Sequence, residues 1–297
     1  MSNSLPFGRL IPAMVTPFDE NLDLDLPRAR KLATRLIDGG ADSLLINATT
    51  GEAPTIFYPQ KLELFQAVIE EVSGRVPIIA YTGDNCTADS VDFAQKVEKL
   101  GVDGMLLVVP YYNKPPQEGM YQHFKAIADA VSVPCMLYNI PGRCAVNMEA
   151  QTTLRIARDC KNVIGIKEAS GDMAQIQEII DGAPDGFSVY SGDDAATLEI
   201  MKMGGVGVVS TIGNVCPSRM KEIVDLAASG NFDEAQKKND ELLPLMEGLF
   251  ATTNPILVKE ALDLLGFNVG GVRLPLVDAT VQQRETLANI MHQTGVL

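Results

Sequence analysis

Eight short, β-branched apolar runs recur along the chain, each followed by a longer stretch of helical periodicity. This alternation limits the fold more than any other feature of the sequence. The runs are "LIPAMVTP", "SLLIN", "PIIAYTG", "GMLLVVP", "CMLYNI", "VIGIKEAS", "FSVYSGD" and "GVGVVST". Between them lie amphipathic segments such as "PRARKLATRLIDGG" and "SVDFAQKVEKLG", with leucine, valine and phenylalanine three or four apart. Several close on glycine, as a helix C-terminus does. Eight such units in order fit an α/β fold of the closed (β/α)8 TIM-barrel type; a doubly wound sheet is the alternative, and the strand count favours closure. After the eighth run the pattern changes to helices alone. Residues 1–216 are therefore read as the barrel and 217–297 as a C-terminal helical extension, with "NPILVKEALDLLGF" its clearest helix. No Pro/Ser-rich linker separates them, so the extension is expected to pack on the barrel.

Composition excludes several function classes. Apolar residues make up 46% of the 297, enough for a sizeable core. Asp and Glu outnumber Lys and Arg by 38 to 24, a formal charge of −14, which argues against nucleic acid or an anionic membrane surface as main partner. A small anionic substrate remains admissible, because a few placed cations dominate a closed pocket. The five cysteines are scattered without a CxxC pair, so neither a zinc ribbon nor a redox motif is expected, and reduced thiols in a cytoplasmic protein are the simplest reading. The opening "MSNSLPFGRLIPAMV" lacks a basic segment followed by a long apolar run, and no apolar stretch nears the roughly 20 residues of a membrane helix. His123 and His292 are isolated and support neither a triad nor a metal site. Asp193 and Asp194 in "SGDDAA" read as a helix start. With no dinucleotide or Walker spacing either, no cofactor and no metal are expected.

In a barrel, polar residues at the C-terminal ends of the strands deserve the first functional hearing. Lys167 lies late in "VIGIKEAS", sharing a face with Val163, Gly165 and Ala169 by alternation, and Gly165 leaves space beside it. A strand lysine more often snorkels or pairs with a carboxylate. A buried one loses hydration, and a fall in pKa from about 10.4 to near 7.5 corresponds to roughly 4 kcal/mol. The product of that loss is a neutral amine able to attack a ketone and form a Schiff base. "ATTGE" (48–52) is by itself a capped glycine turn, or else a carboxylate cradle of hydroxyls and N–H groups. Tyr111, Tyr112, Tyr138 and Arg143 each have an ordinary packing or surface explanation. Their gathering at one rim weakens those explanations.

"TTGE", "PYYNKPPQEG", "LYNIPGR", "GIKEASGD" and "NPILVK" occur in the order seen in the pyruvate-dependent class I aldolases, which include the N-acetylneuraminate lyases. The chain resembles this family over essentially its whole length. The resemblance implies a barrel with a helical extension, assembled as a homotetramer. It makes Lys167 the Schiff-base lysine and Tyr138 the proton-relaying tyrosine, with Thr49 and a partner-donated Tyr112 as hydrogen-bonding neighbours. It further implies that Thr50 binds the pyruvate carboxylate, that Arg143 holds the aldehyde's carboxylate, and that Gly192 and Val209 line the pyruvate pocket. The Thr-Thr pair and the arginine of "PGR", usually lacking in the N-acetylneuraminate lyases, point to members that condense pyruvate with L-aspartate 4-semialdehyde. Other pyruvate aldolases, acting on a sugar acid or 4-hydroxy-2-oxoglutarate, stay open, as does a non-catalytic keto-acid-binding barrel. Ala53, Tyr58, Lys61, Asn85, Asp89 and Tyr111 match a regulatory L-lysine site. A second ammonium at Lys61 leads us to expect weak or absent inhibition.

Overall fold

The computed structural model describes residues 5–297; the first four residues of the opening segment and of the 1–216 unit lie outside the described residues. The strands are β1 (Leu10–Pro12), β2 (Leu44–Ile46), β3 (Ile78–Tyr81), β4 (Gly104–Val108), β5 (Cys135–Asn139), β6 (Val163–Glu168), β7 (Ser188–Ser191) and β8 (Gly207–Ser210). Each falls inside one of the quoted runs but is shorter. The residues beyond its C-terminal end leave the ladder and build the rim.

All neighbouring strands pair in parallel, in the order β1-β8-β7-β6-β5-β4-β3-β2. Ile11 lies opposite Val209 at one seam. At the other, Ala13 bridges Leu45 and the Met14 N–H donates to the Leu45 carbonyl over 2.9 Å. The sheet therefore closes into a (β/α)8 barrel, and the doubly wound alternative is excluded. Parallel strands need crossovers, which the amphipathic segments supply. In the helix Leu26–Asp38, Ala29, Leu32, Ala33 and Leu36 are buried, while the Asp25 carboxylate caps the start by accepting the Arg28 N–H.

Beyond β8 come the helices Pro217–Ala228, Phe232–Gly248, Ile256–Leu264 and Val281–Gln293. Their apolar faces join the barrel core in one continuous cluster that reaches from Phe7 to Met291. Ile256–Leu264 is buried on several sides, including at Lys259, which is 4% exposed. An ammonium so placed must be compensated, and its partner lies in the rim described next.

Candidate active site

Lys167 is held in the middle of the sheet, in register with Tyr138 on β5 and Tyr190 on β7. Gly192 makes room for it, while Gly165 lets β6 lie close against β7. A Cβ on Gly165 would lie 2.6 Å from the Ser188 carbonyl oxygen, and one on Gly192 only 2.7 Å from Ala169 Cβ and 3.1 Å from Lys167 Cε. The lysine is 6% exposed, and its Nζ lies 4.3 Å from the centre of the Tyr138 ring. Among the described residues it forms no ion pair. Burial lowers its pKa from 10.5 to about 8; the Asp194 carboxylate opposes the shift and the Arg143 guanidinium adds to it. Lys259 is also lowered to about 8 by burial, but its Nζ is occupied by Glu52 and the Gly271 carbonyl. A low pKa thus does not set Lys167 apart from Lys259. Lack of a partner does.

Tyr138 is buried against this amine, with the Thr49 hydroxyl near its own. Burial raises its pKa well above 10, while the Arg143 charge and the nearby Thr49 hydroxyl pull it back. Arg143 sits in the short helix Pro141–Cys144, exposed and, among the described residues, without an ion pair. Its loop is anchored beneath by Asn139, whose side chain accepts the Met148 N–H (3.0 Å) and donates to Asn147 Oδ1 (2.8 Å).

The Thr49–Thr50 loop turns sharply through left-handed residues at Asn47 (φ 62°) and Glu52 (φ 56°). A Cβ on Gly51 would sit 3.1 Å from the Met14 carbonyl oxygen, and the Thr16 hydroxyl donates to the Gly51 carbonyl over 2.7 Å. Thr50 is buried and accepts from Asn254 Nδ2 over 2.9 Å. Val209, on β8, is buried in the barrel. The Gly192 N–H donates to the Glu168 carbonyl over 2.7 Å, which fixes the loop past Lys167.

Asp194 corrects the sequence reading. The helix after β7 begins only at Thr197, with Ala196 as its cap. The carboxylate of Asp194 instead accepts the N–H groups of Thr211 (2.9 Å) and Ile212 (2.8 Å), pinning the loop after β8. Its second oxygen is buried without a hydrogen bond among the described residues, and burial raises its pKa. Only its acidic character was visible in "SGDD". Glu168, next to Lys167, faces away from it and accepts from Asn139 and the Ser170 N–H.

Tyr112 stands apart from this cluster, 87% exposed and in the left-handed region (φ 73°). Tyr111 beside it donates to Asp84 over 3.3 Å, and its carbonyl accepts from Asn85 over 3.1 Å. Asp84 belongs to a separate cleft of about 220 Å³ that also brings together Tyr58, Lys61, Tyr81, Asp89 and Phe93. Ala53 is buried at the start of the turn Ala53–Thr55. Burial lowers the Lys61 pKa, and Asp84 opposes that shift. Sequence reasoning missed Tyr81 and Asp84, which become neighbours of this cleft only through the barrel's curvature.

Fold and site define a class: (β/α)8 barrels that carry an unpaired, desolvated lysine amine beside a buried tyrosine. Residues 6–294 match the Dihydrodipicolinate synthetase family. The 4-hydroxy-tetrahydrodipicolinate synthase of Symbiobacterium thermophilum is 50% identical over 291 residues, covering 98% of this chain and 99% of that protein. The dihydrodipicolinate synthase of Cyanidioschyzon merolae, solved with lysine bound, superposes with a TM-score of 0.96 at 42% identity, over 98% of this chain and 99% of that one. The chloride-inhibited enzyme of Acinetobacter baumannii, solved with pyruvate, gives 0.95 at 38% identity, over 98% and 100%. The chain belongs to the dihydrodipicolinate synthetase family.

Proposed function

We propose that the protein is a 4-hydroxy-tetrahydrodipicolinate synthase, a lyase-type enzyme of diaminopimelate and lysine biosynthesis that condenses pyruvate with L-aspartate 4-semialdehyde. The observation that carries this reading is the unpaired Lys167 amine, desolvated to a pKa of about 8 and lying over Tyr138. Neutral Nζ attacks the ketone carbon of pyruvate, and loss of water leaves an iminium. That cation draws electrons from the methyl C–H bond, so a proton leaves and an enamine forms. The enamine carbon adds to the aldehyde, whose oxygen takes up a proton. The substrate's own amine then attacks the imine carbon, and Lys167 departs as the ring closes.

Tyr138 handles the proton transfers. A phenol does this poorly alone, and the neighbouring Thr49 would connect it to a network that Tyr112 of a second copy extends. Thr50 receives the pyruvate carboxylate, Arg143 holds that of the aldehyde with its planar fork, and Gly192 and Val209 line the pocket. The exposed Tyr112 supports at least a dimer, and we extend this to a homotetramer. Five free cysteines are consistent with a cytoplasmic setting, and among the described residues no helix is long and apolar enough to cross a membrane. We divide the chain as 1–216 and 217–297.

The test is borohydride reduction in the presence of pyruvate, read by intact mass. A stable adduct on the wild type that vanishes in Lys167→Ala is expected. Normal turnover by Lys167→Ala would remove the proposal. Turnover of aspartate semialdehyde well above that of sugar acids separates this reading from the other pyruvate aldolases.

A further inference from the structure

The motif "NPILVK" takes no part in the chemistry above, yet both its polar ends reach the "TTGE" loop about 200 residues earlier in the chain. Asn254 donates to the Thr50 hydroxyl. Lys259 Nζ lies 2.6 Å from Glu52 Oε1, with the two side chains only 3% and 1% exposed. That oxygen has no aligned hydrogen-bond donor, so the approach is a contact of charges. The other carboxylate oxygen accepts the Arg273 N–H over 2.9 Å. Lys259 Nζ also donates to the Gly271 carbonyl (2.7 Å) and lies 4.1 Å from the centre of the Phe18 ring.

A buried ion pair is a poor source of stability, because desolvation offsets most of the attraction and a packed apolar pair of similar volume does as well. What it supplies is a fixed distance and direction. Here that geometry acts on a residue held in the left-handed region, which a side chain other than glycine adopts only under constraint. Glu52 transmits its placement one turn back: its N–H donates to the Thr49 carbonyl over 3.0 Å, and the Ala53 N–H donates to that of Ala48 over 3.2 Å. The Arg273 guanidinium completes the brace by donating to the Leu22 and Thr55 carbonyls, each over 2.8 Å.

We propose that Glu52 and Lys259 are positioning residues for pyruvate: the C-terminal extension, through this pair, sets the loop on which Thr49 and Thr50 meet the substrate. This rests on the assignment of Thr50 to the pyruvate carboxylate. Arg143 stands on a different loop, so the pair acts on one substrate and not on the other.

The test compares wild type, E52Q, K259M, E52Q/K259M and K259R. The pyruvate concentration that half-saturates borohydride trapping is measured alongside the aldehyde KM and the melting temperature. The single neutralising variants leave a buried charge unpaired; the double variant removes both charges and K259R keeps both, so folded protein is expected among them. In folded variants we expect half-saturation by pyruvate to rise about tenfold or more, the scale on which a small misplacement acts. The aldehyde KM should stay within about twofold, since no contact of this pair reaches the Arg143 loop. Unchanged half-saturation in a folded variant that has lost either charge would overturn the proposal, as would equal weakening of both substrates. Wild type that traps no pyruvate would instead sink the Schiff-base assignment and leave this comparison without its basis.

Discussion

At the scale of single residues, the proposed chemistry depends on what Lys167 lacks. Its pKa of about 8, against 10.5 ordinarily, has two measurable consequences. The neutral fraction rises with pH, so the rate of pyruvate trapping should climb through about 8 and level off above it. A rate flat from pH 6 to 9 would contradict the desolvated amine. The second consequence concerns stability. The unfolded chain holds this proton up to about pH 10.5 and the folded chain only up to about 8, so the lysine destabilises the fold fully below 8 and not at all above 10.5. Lys167→Met should therefore be inactive yet more stable at pH 7 by roughly 3 kcal/mol in denaturant unfolding, with the gain fading as pH rises. Gly192→Ala tests the space beside the amine. Its Cβ would press on Ala169 and Lys167 Cε, and kcat/KM should fall by about tenfold or more. Wild-type activity would mean that the loop yields without cost. The facing of Lys167 was legible because a strand alternates with period two. The role of Asp194 was not, because its partners Thr211 and Ile212 belong to the following unit and nothing in "SGDD" announces them.

At the scale of elements, strands and loops differ in how far sequence reveals them. Each strand is covered on both sides, so runs of Val, Ile and Leu mark it regardless of neighbours. A rim loop is defined by what it touches. "ATTGE" reads equally as a capped turn or a carboxylate cradle until Thr16, Asn254 and Lys259 are seen to hold it. The loop carrying Arg143 is braced separately, through Asn139 and Asn147. Arg143→Ala should thus raise the KM of the aldehyde by about tenfold or more, the cost of losing a bidentate charge-assisted contact, while pyruvate trapping stays near wild type. Equal loss in both would contradict the division of labour between the loops. The cleft at Tyr58 and Lys61 is a third element. Lys61 places an amine there, but Asp84, Asp89 and Asp92 line the same cleft and Asp84 acts on that amine, so the repulsion toward a second ammonium is partly offset. We still expect L-lysine to inhibit weakly or not at all; micromolar inhibition in the coupled assay would assign the controlling influence to the carboxylates.

At the scale of the whole molecule, the eightfold alternation gave away the barrel, whereas the proposed association of copies is written only on the surface. Phe57, Tyr112, Leu274, Val277 and Val281 are 76%, 87%, 77%, 63% and 75% exposed, large apolar groups that a lone subunit leaves in water. Tyr112 is the informative one, since its backbone is held in the left-handed region, an arrangement that costs free energy, while its side chain stands in water. If it completes the proton network of a neighbouring subunit, a site needs Lys167 from one chain and Tyr112 from another. Two inactive or impaired variants should then rescue each other. In pairs formed from Lys167→Ala and Tyr112→Phe subunits, one of the two sites combines an intact lysine with an intact tyrosine, and the other has neither. Random pairing of equal amounts makes about half the pairs mixed, so co-expressed variants should recover about a quarter of wild-type activity per subunit. Separately purified variants kept from exchanging should show only the average of their own activities. A mixture that never exceeds that average after co-expression would place Tyr112 outside the catalytic network, because a residue serving its own chain cannot be supplied by another.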